Sequence, residues 1–297
     1  MTANEKLIVA FTDEAGSRGY VRKLTHSSDH EISLLCSLLI PGEHVEIVRD
    51  LFKGPFDKFC SAMPANAKCH ITDAFEPGRE AWRAVAEAVR VEVFTIMKDH
   101  GVFLTFSARR LKIPREMHHL LENLKGEAKK NSRSDFVVRN SNRPSTSQID
   151  DDVMINLALM AEAFAEKFKR ELVDFHFDEI DKAVADRYQA AIATTQSIEN
   201  VKKEVEARNR KTGETATKTV EISIPLKGLN TKALGKIVVA GKLDPIIFAT
   251  DVVTNSLWRH LQGLPPNVPL NELSSVKNWE CPELTFVSPG NSIFDKV

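Results

Sequence analysis

The sequence predicts an α/β domain, and three observations predict it. Short apolar runs bounded by turn residues stand early, midway and late. Between them apolar residues recur at helical spacing, and no internal repeat or low-complexity linker interrupts the 297 residues. The composition, 42% apolar, 27% charged and 7% aromatic, is that of a globular chain and excludes disordered, collagenous and membrane-embedded classes. Forty Lys and Arg stand against 41 Asp and Glu, so any affinity for nucleic acid must come from local clustering of charge.

The first element is a strand over 7–11, nearly continuous in apolar residues and stopping at Asp13, Gly16 and Gly19. Residues 31–40 read as its partner, ended by Pro41-Gly42. Val45, Val48, Phe52, Phe56 and Phe59 then give an amphipathic helix that Gly54-Pro55 is expected to kink or split. A second helix over 78–100 carries Trp82, Val85, Val89, Val93 and Ile96 on one stripe, with Gly101 as its stop and a strand over 101–108 beyond it. Asp150, Asp151 and Asp152 open a third helix, since acids suit the positive end of the helix dipole. Residues 172–178 alternate as a strand, 182–199 form a helix, 219–226 another strand, and Asp244-Pro245 starts a last helix to about residue 261. The expected organisation is one domain over 1–265, with a basic insertion at 109–145, a charged, exposed excursion at 200–218, and a C-terminal tail over 266–297.

The apolar run at the N-terminus is too short for a signal-peptide core or a membrane span, so a cytoplasmic location away from membranes is expected. Cys36, Cys60, Cys69 and Cys281 contain no CxxC pair, which argues against a thiolate zinc site or a disulfide framework and for small, wholly or partly buried residues.

Three aspartates stand out as candidates for chemistry. Asp13 follows an apolar strand, where rigid backbone holds a carboxylate and glycines leave room for a ligand; the plainer alternative is a turn cap. Asp178 ends the strand on which Asp174, His176 and Asp178 share one face, either a solvent face or a polar lining, with Glu179 and Asp181 as alternates. Asp251 shares a helical stripe with Ile247, Thr254, Trp258 and Leu261. A carboxylate there is costly unless a cation, a metal or a strong donor compensates it; the alternative is an acid at the stripe's edge beside a Lys or Arg. Hard oxygen donors of this kind suit Mg²⁺ or Mn²⁺, and such ions serve phosphodiester cleavage.

Three segments resemble the DUF3800 family, an uncharacterised group with a ribonuclease H-like fold. FTDEAGSRG at 11–19 is similar to its opening strand and acidic turn, with Ala15 where Ser is usual. DFHFDEID at 174–181 is similar to its middle acidic strand end. PIIFATDVVTNSLWRHL at 245–261 is similar to its late helix, with Phe248, Ala249 and Thr250 in place of the usual Gln-x-Ala before the acid. CHITDAF at 69–75 resembles, more weakly, its His-x-x-Asp segment.

The resemblance implies a ribonuclease H-like mixed sheet flanked by helices, and a metal-dependent, nuclease-like centre at Asp13, Asp178 and Asp251. Asp73, His70 and Glu14 are the candidates it offers for a fourth member. On that reading the chain hydrolyses phosphodiesters of RNA or DNA with Mg²⁺ or Mn²⁺. His70 would move a proton near neutral pH, or else hydrogen-bond Asp73 as a structural residue. The basic stretch 109–143 would grip phosphates, or else be a solvated charged surface. The alternative function is a catalytically silent nucleic-acid-binding or protein-interaction module of a mobile-element or defence system, with a protein partner.

Overall fold

The computed structural model describes residues 4–16, 31–100, 102–112, 116, 136–140, 147–197, 201–209, 211–222, 231–241 and 243–279. Its centre is a five-stranded mixed sheet made of β1 (Leu7–Gly16), β2 (Ile32–Pro41), β3 (Phe103–Arg110), β5 (Leu172–Phe177) and β8 (Leu234–Val239). The order is β3-β2-β1-β5-β8: β1 and β2, and β2 and β3, run antiparallel, whereas β1, β5 and β8 run parallel. Order and directions are consistent with a ribonuclease H-like α/β fold.

Helices cover both faces of the sheet. On one side α1 (Val45–Ser61), α2 (Glu80–His100) and α5 (Pro245–Gln262) meet the odd residues of β1, Val9 and Phe11, and the even residues of β2 from Ile32 to Ile40. On the other side α3 (Ser147–Lys167) and α4 (Lys182–Ser197) meet Ile8, Ala10, Val173, Phe175 and Phe177. A sheet covered on both faces explains why β1 reads as an unbroken apolar run. Each fully buried Phe or Leu contributes roughly 1.5–3 kcal/mol over its exposed state.

Several elements differ from the sequence reading. The first helix does not split at Gly54-Pro55: α1 is continuous through it, with Pro55 and Phe56 buried. The excursion at 200–218 is largely strand, because β6 (Val201–Asn209) and β7 (Thr215–Ile222) pair antiparallel; a backbone ladder forms there without an apolar pattern to announce it. β4 (Phe136–Asn140) joins them in a three-stranded sheet, order β4-β6-β7, while most of the basic insertion lies outside the described residues. β8 has no counterpart in the sequence reading. The segment expected as a tail sends Leu270, Val276 and Trp279 into the core beneath α5, with a short helix, α6 (Leu273–Val276), between them. Gly101 and residues 280–297 lie outside the described residues.

Among the described residues, no helix is long and apolar enough to cross a membrane.

Candidate functional site

The parallel ladder between β1 and β5 runs from Leu7↔Leu172 to Thr12↔Phe177. Asp13 and Asp178 are the next residue on each strand, so two neighbouring parallel strands each present an acid at the level where their pairing stops. Such strands lie about 4.8 Å apart. Asp13 is also paired with Cys36 of β2, a member of the core under α5, so its side chain is on the α5 face. Phe177 belongs to the opposite core. Asp178 follows in a bend beyond the end of β5, and its charge reaches His70.

The third acid comes from α5. This helix starts at an Asp244 N-cap that accepts the Ile246 N–H at 2.8 Å, followed by Pro245 at a position where a missing N–H costs nothing. The stripe expected for it is too narrow: α5 lies between the sheet and α1 and α2, and every residue from Ile246 to Leu257 is buried. Asp251 is 7% exposed, as is Asp13. Among the described residues, what compensates Asp251 is neither Lys nor Arg. Its Oδ2 accepts the Ile71 backbone N–H at 2.7 Å and faces His70 Nδ1 at 3.1 Å.

His70 gathers the site. Its hydrogen bond to Asp251, opposed by partial burial and helped by the charges of Asp251, Asp13 and Asp178, pushes its pKa up to about 9. The imidazole is therefore a cation at neutral pH, and one that feels all three carboxylates. Thr72 Oγ1 is its second neighbour, 3.2 Å from Nδ1.

The remaining candidates separate. Asp73 is not the partner of His70: its carboxylate accepts Lys68 N–H at 3.0 Å and lies 3.5 Å from Arg79 Nη1, holding the turn 68–73 together. Glu14 points to the other side of β1 from Asp13, and it borders two cavities. One is a small pocket with Asp150, Val153 and Tyr188 on the α3 side. The other is an open cleft of about 470 Å³ lined by Asp13, Gly16, His70, Asp251, Asn255 and Trp258 among others. Asp178 reaches His70 by its charge but does not line that cleft. Its Oδ1 accepts the Glu179 N–H at 2.9 Å. Among the described residues, no group of three or more His, Cys, Asp or Glu side chains is arranged to hold a metal ion as it stands.

The sequence reading missed part of the cleft wall. Asp251, Asn255, Trp258 and Gln262 fall at i, i+4, i+7 and i+11 of α5 and all line the cleft, so Trp258, expected as core, is a wall residue. Gly16, at φ +88°, sits where any Cβ would overlap the Ile32 carbonyl oxygen and stand 2.6 Å from Trp258 Nε1. Of the basic stretch, Arg109 pairs with Asp152, and Arg110 donates to Pro265 O at 2.7 Å; both are engaged within the fold. Comparison of the chain with family models, with curated proteins and with solved structures gives no match.

Proposed function

We propose that the chain is a divalent-metal-dependent phosphodiesterase acting on RNA or DNA, with Asp13, Asp178 and Asp251 as the residues that would hold Mg²⁺ or Mn²⁺. One observation carries this reading: a single imidazole lies within electrostatic reach of three carboxylates delivered by two strand ends and one helix. Carboxylate oxygens are the hard donors these ions take. The field that draws a proton onto His70 attracts any cation, so the donor set fits the ion. When bound, such an ion supplies Lewis acidity and an activated water.

The chain's own groups have separable roles in this proposal. The Ile71 N–H holds one oxygen of Asp251 and leaves the other to a ligand. Asp13 is held by a strand paired on both sides up to Thr12. His70, 3.1 Å from Asp251 and on the wall of the cleft, is the group placed to give a proton to a leaving oxygen. The resemblance of segments 11–19, 174–181 and 245–261 to DUF3800 supports the same assignment.

The test is cleavage of labelled RNA and DNA with Mg²⁺ or Mn²⁺, comparing the natural chain with Asp13→Asn and Asp251→Asn. Loss of cleavage by about a thousandfold in both, with circular dichroism unchanged, is expected from removing a charge-bearing ligand. Equal cleavage by natural and variant chains rejects the assignment.

A second reading, the silent binding module of a mobile-element or defence system, is favoured by the way His70 and the Ile71 N–H already satisfy Asp251 Oδ2. Calorimetric titration with Mn²⁺ separates the two: the silent module gives no heat that depends on Asp13 and Asp251.

A further inference from the structure

Cys60 lies in the last turn of α1, and Cys69 precedes His70 in the loop between α1 and α2. Their sulfurs are 3.3 Å apart and only half-buried, whereas Cys36 of β2 is wholly buried beneath α5. The segment between them is held by its own turns: Met63 N–H to Cys60 O at 3.2 Å, Ala67 N–H to Pro64 O at 3.0 Å, and His70 N–H to Lys68 O at 2.8 Å. Trp82 Nε1 also donates to Phe59 O at 3.1 Å, anchoring the end of α1. Two thiols kept in contact by fixed backbone need to approach by only about 1 Å more to bond. Holding them there removes most of the entropy that a disulfide between distant residues must overcome.

We propose that Cys60 and Cys69 form a reversible disulfide on meeting a hydroperoxide, and that this bond fastens the Cys69–His70–Ile71 segment, which grips Asp251, to the end of α1. Burial, the neighbouring thiol of Cys60 and the charges of Asp251 and Asp178 push the Cys69 thiol up to about 12. Either sulfur can react first, and the step balances equally with the two exchanged. With Cys60 first, its sulfur takes one peroxide oxygen, the O–O bond breaks, and the other oxygen leaves as water, giving a sulfenic acid. The Cys69 sulfur then attacks the Cys60 sulfur, the S–O bond breaks, and a second water leaves with the Cys69 proton. Two thiols lose two electrons, and hydrogen peroxide gains them as two waters. Formation of the bond does not depend on the metal assignment.

The experiment treats the folded full-length chain with hydrogen peroxide, then maps cysteines by mass spectrometry before and after dithiothreitol, alongside Cys60→Ser and Cys69→Ser. The expected result is a Cys60–Cys69 cross-linked peptide that dithiothreitol removes and neither variant forms, with amide exchange at residues 69–71 slowed in the oxidised chain. Sulfinic acid at Cys60 or Cys69 without a cross-link, a link from either residue to Cys281, or no reaction at either thiol overturns the proposal, as does a cross-link that leaves exchange at 69–71 unchanged. Because both variants keep Asp13, Asp178 and Asp251, their Mn²⁺ titrations report the metal reading separately.

Discussion

Acids stand on both faces of the central sheet, yet they are held in opposite ways. On the α3 face, Arg187 lies 2.7 Å from Asp151 and 3.2 Å from Asp150, and Arg109 pairs with Asp152. On the α5 face, Asp251 is held by a backbone N–H and an imidazole. A guanidinium stays charged at any pH the fold survives, and its fork matches a carboxylate, so those pairs are fixtures. An imidazole can lose its proton and turn away. The same residue type is a fixture where its partner is permanent and can be released where its partner is exchangeable.

The contrast can be broken first at the point both faces share. Gly16 lines the cavities on the two sides of β1, so Gly16→Ala, forced into a left-handed conformation against the Ile32 carbonyl, should cost roughly 3 kcal/mol by urea melting. A loss below about 0.5 kcal/mol would mean that β1 ends elsewhere.

Changing the exchangeable partner tests the chemistry. His70→Gln should lower metal-dependent cleavage by about 10²-fold while Mn²⁺ titration still gives heat. Cleavage at the natural rate would make the imidazole a structural prop only.

On the permanent side, Arg187→Met removes the guanidinium from both Asp150 and Asp151 and should destabilise by roughly 2 kcal/mol, with cleavage unchanged. A fall in cleavage with stability intact would reverse the roles assigned to the two faces.

The smallest effect sharpens the meaning of a permanent partner. At Glu43, burial alone would raise the carboxyl, but the hydrogen bonds and charge of Arg170, 2.7 Å away, outweigh it and hold the pKa below its ordinary 4.5. A carboxyl depressed in the folded state adds stability above its unfolded pKa, and loses it as pH falls through the folded value. Glu43→Gln should therefore cost about 0.5 kcal/mol at pH 7 and nothing at pH 2, measured by denaturant melts. An equal cost at both pH values would assign the effect to packing.

Much of this was legible in the chain, for identifiable reasons. β1 and β5 are covered on both faces or alternate cleanly, and the acids that follow them stand out as candidates by the rule that sites gather where α/β strands stop. α5 announces itself by Asp244-Pro245. What stayed hidden depends on partners far away in sequence. Nothing in CHITDAF shows that His70 meets Asp251, 181 positions on, rather than Asp73 close by. Cys60 and Cys69 carry no spacing motif, because the turns between them bring the sulfurs together. The β6–β7 hairpin is charged along its length and rests on backbone pairing, a contribution that hydrophobic patterning does not register. β8, with Gly235 and Lys236 in six residues, lacks the run that marks a covered strand.

The end of the β1–β5 ladder has a mechanical consequence. Two of the three acids ride on the sheet and one on the helix laid across it, so a ligand that engages all of them spans two layers of the molecule as a rivet does. Its affinity then appears as resistance to the layers separating, growing with the logarithm of ligand concentration. A heat-denaturation series across metal concentrations tests whether such a ligand is held there.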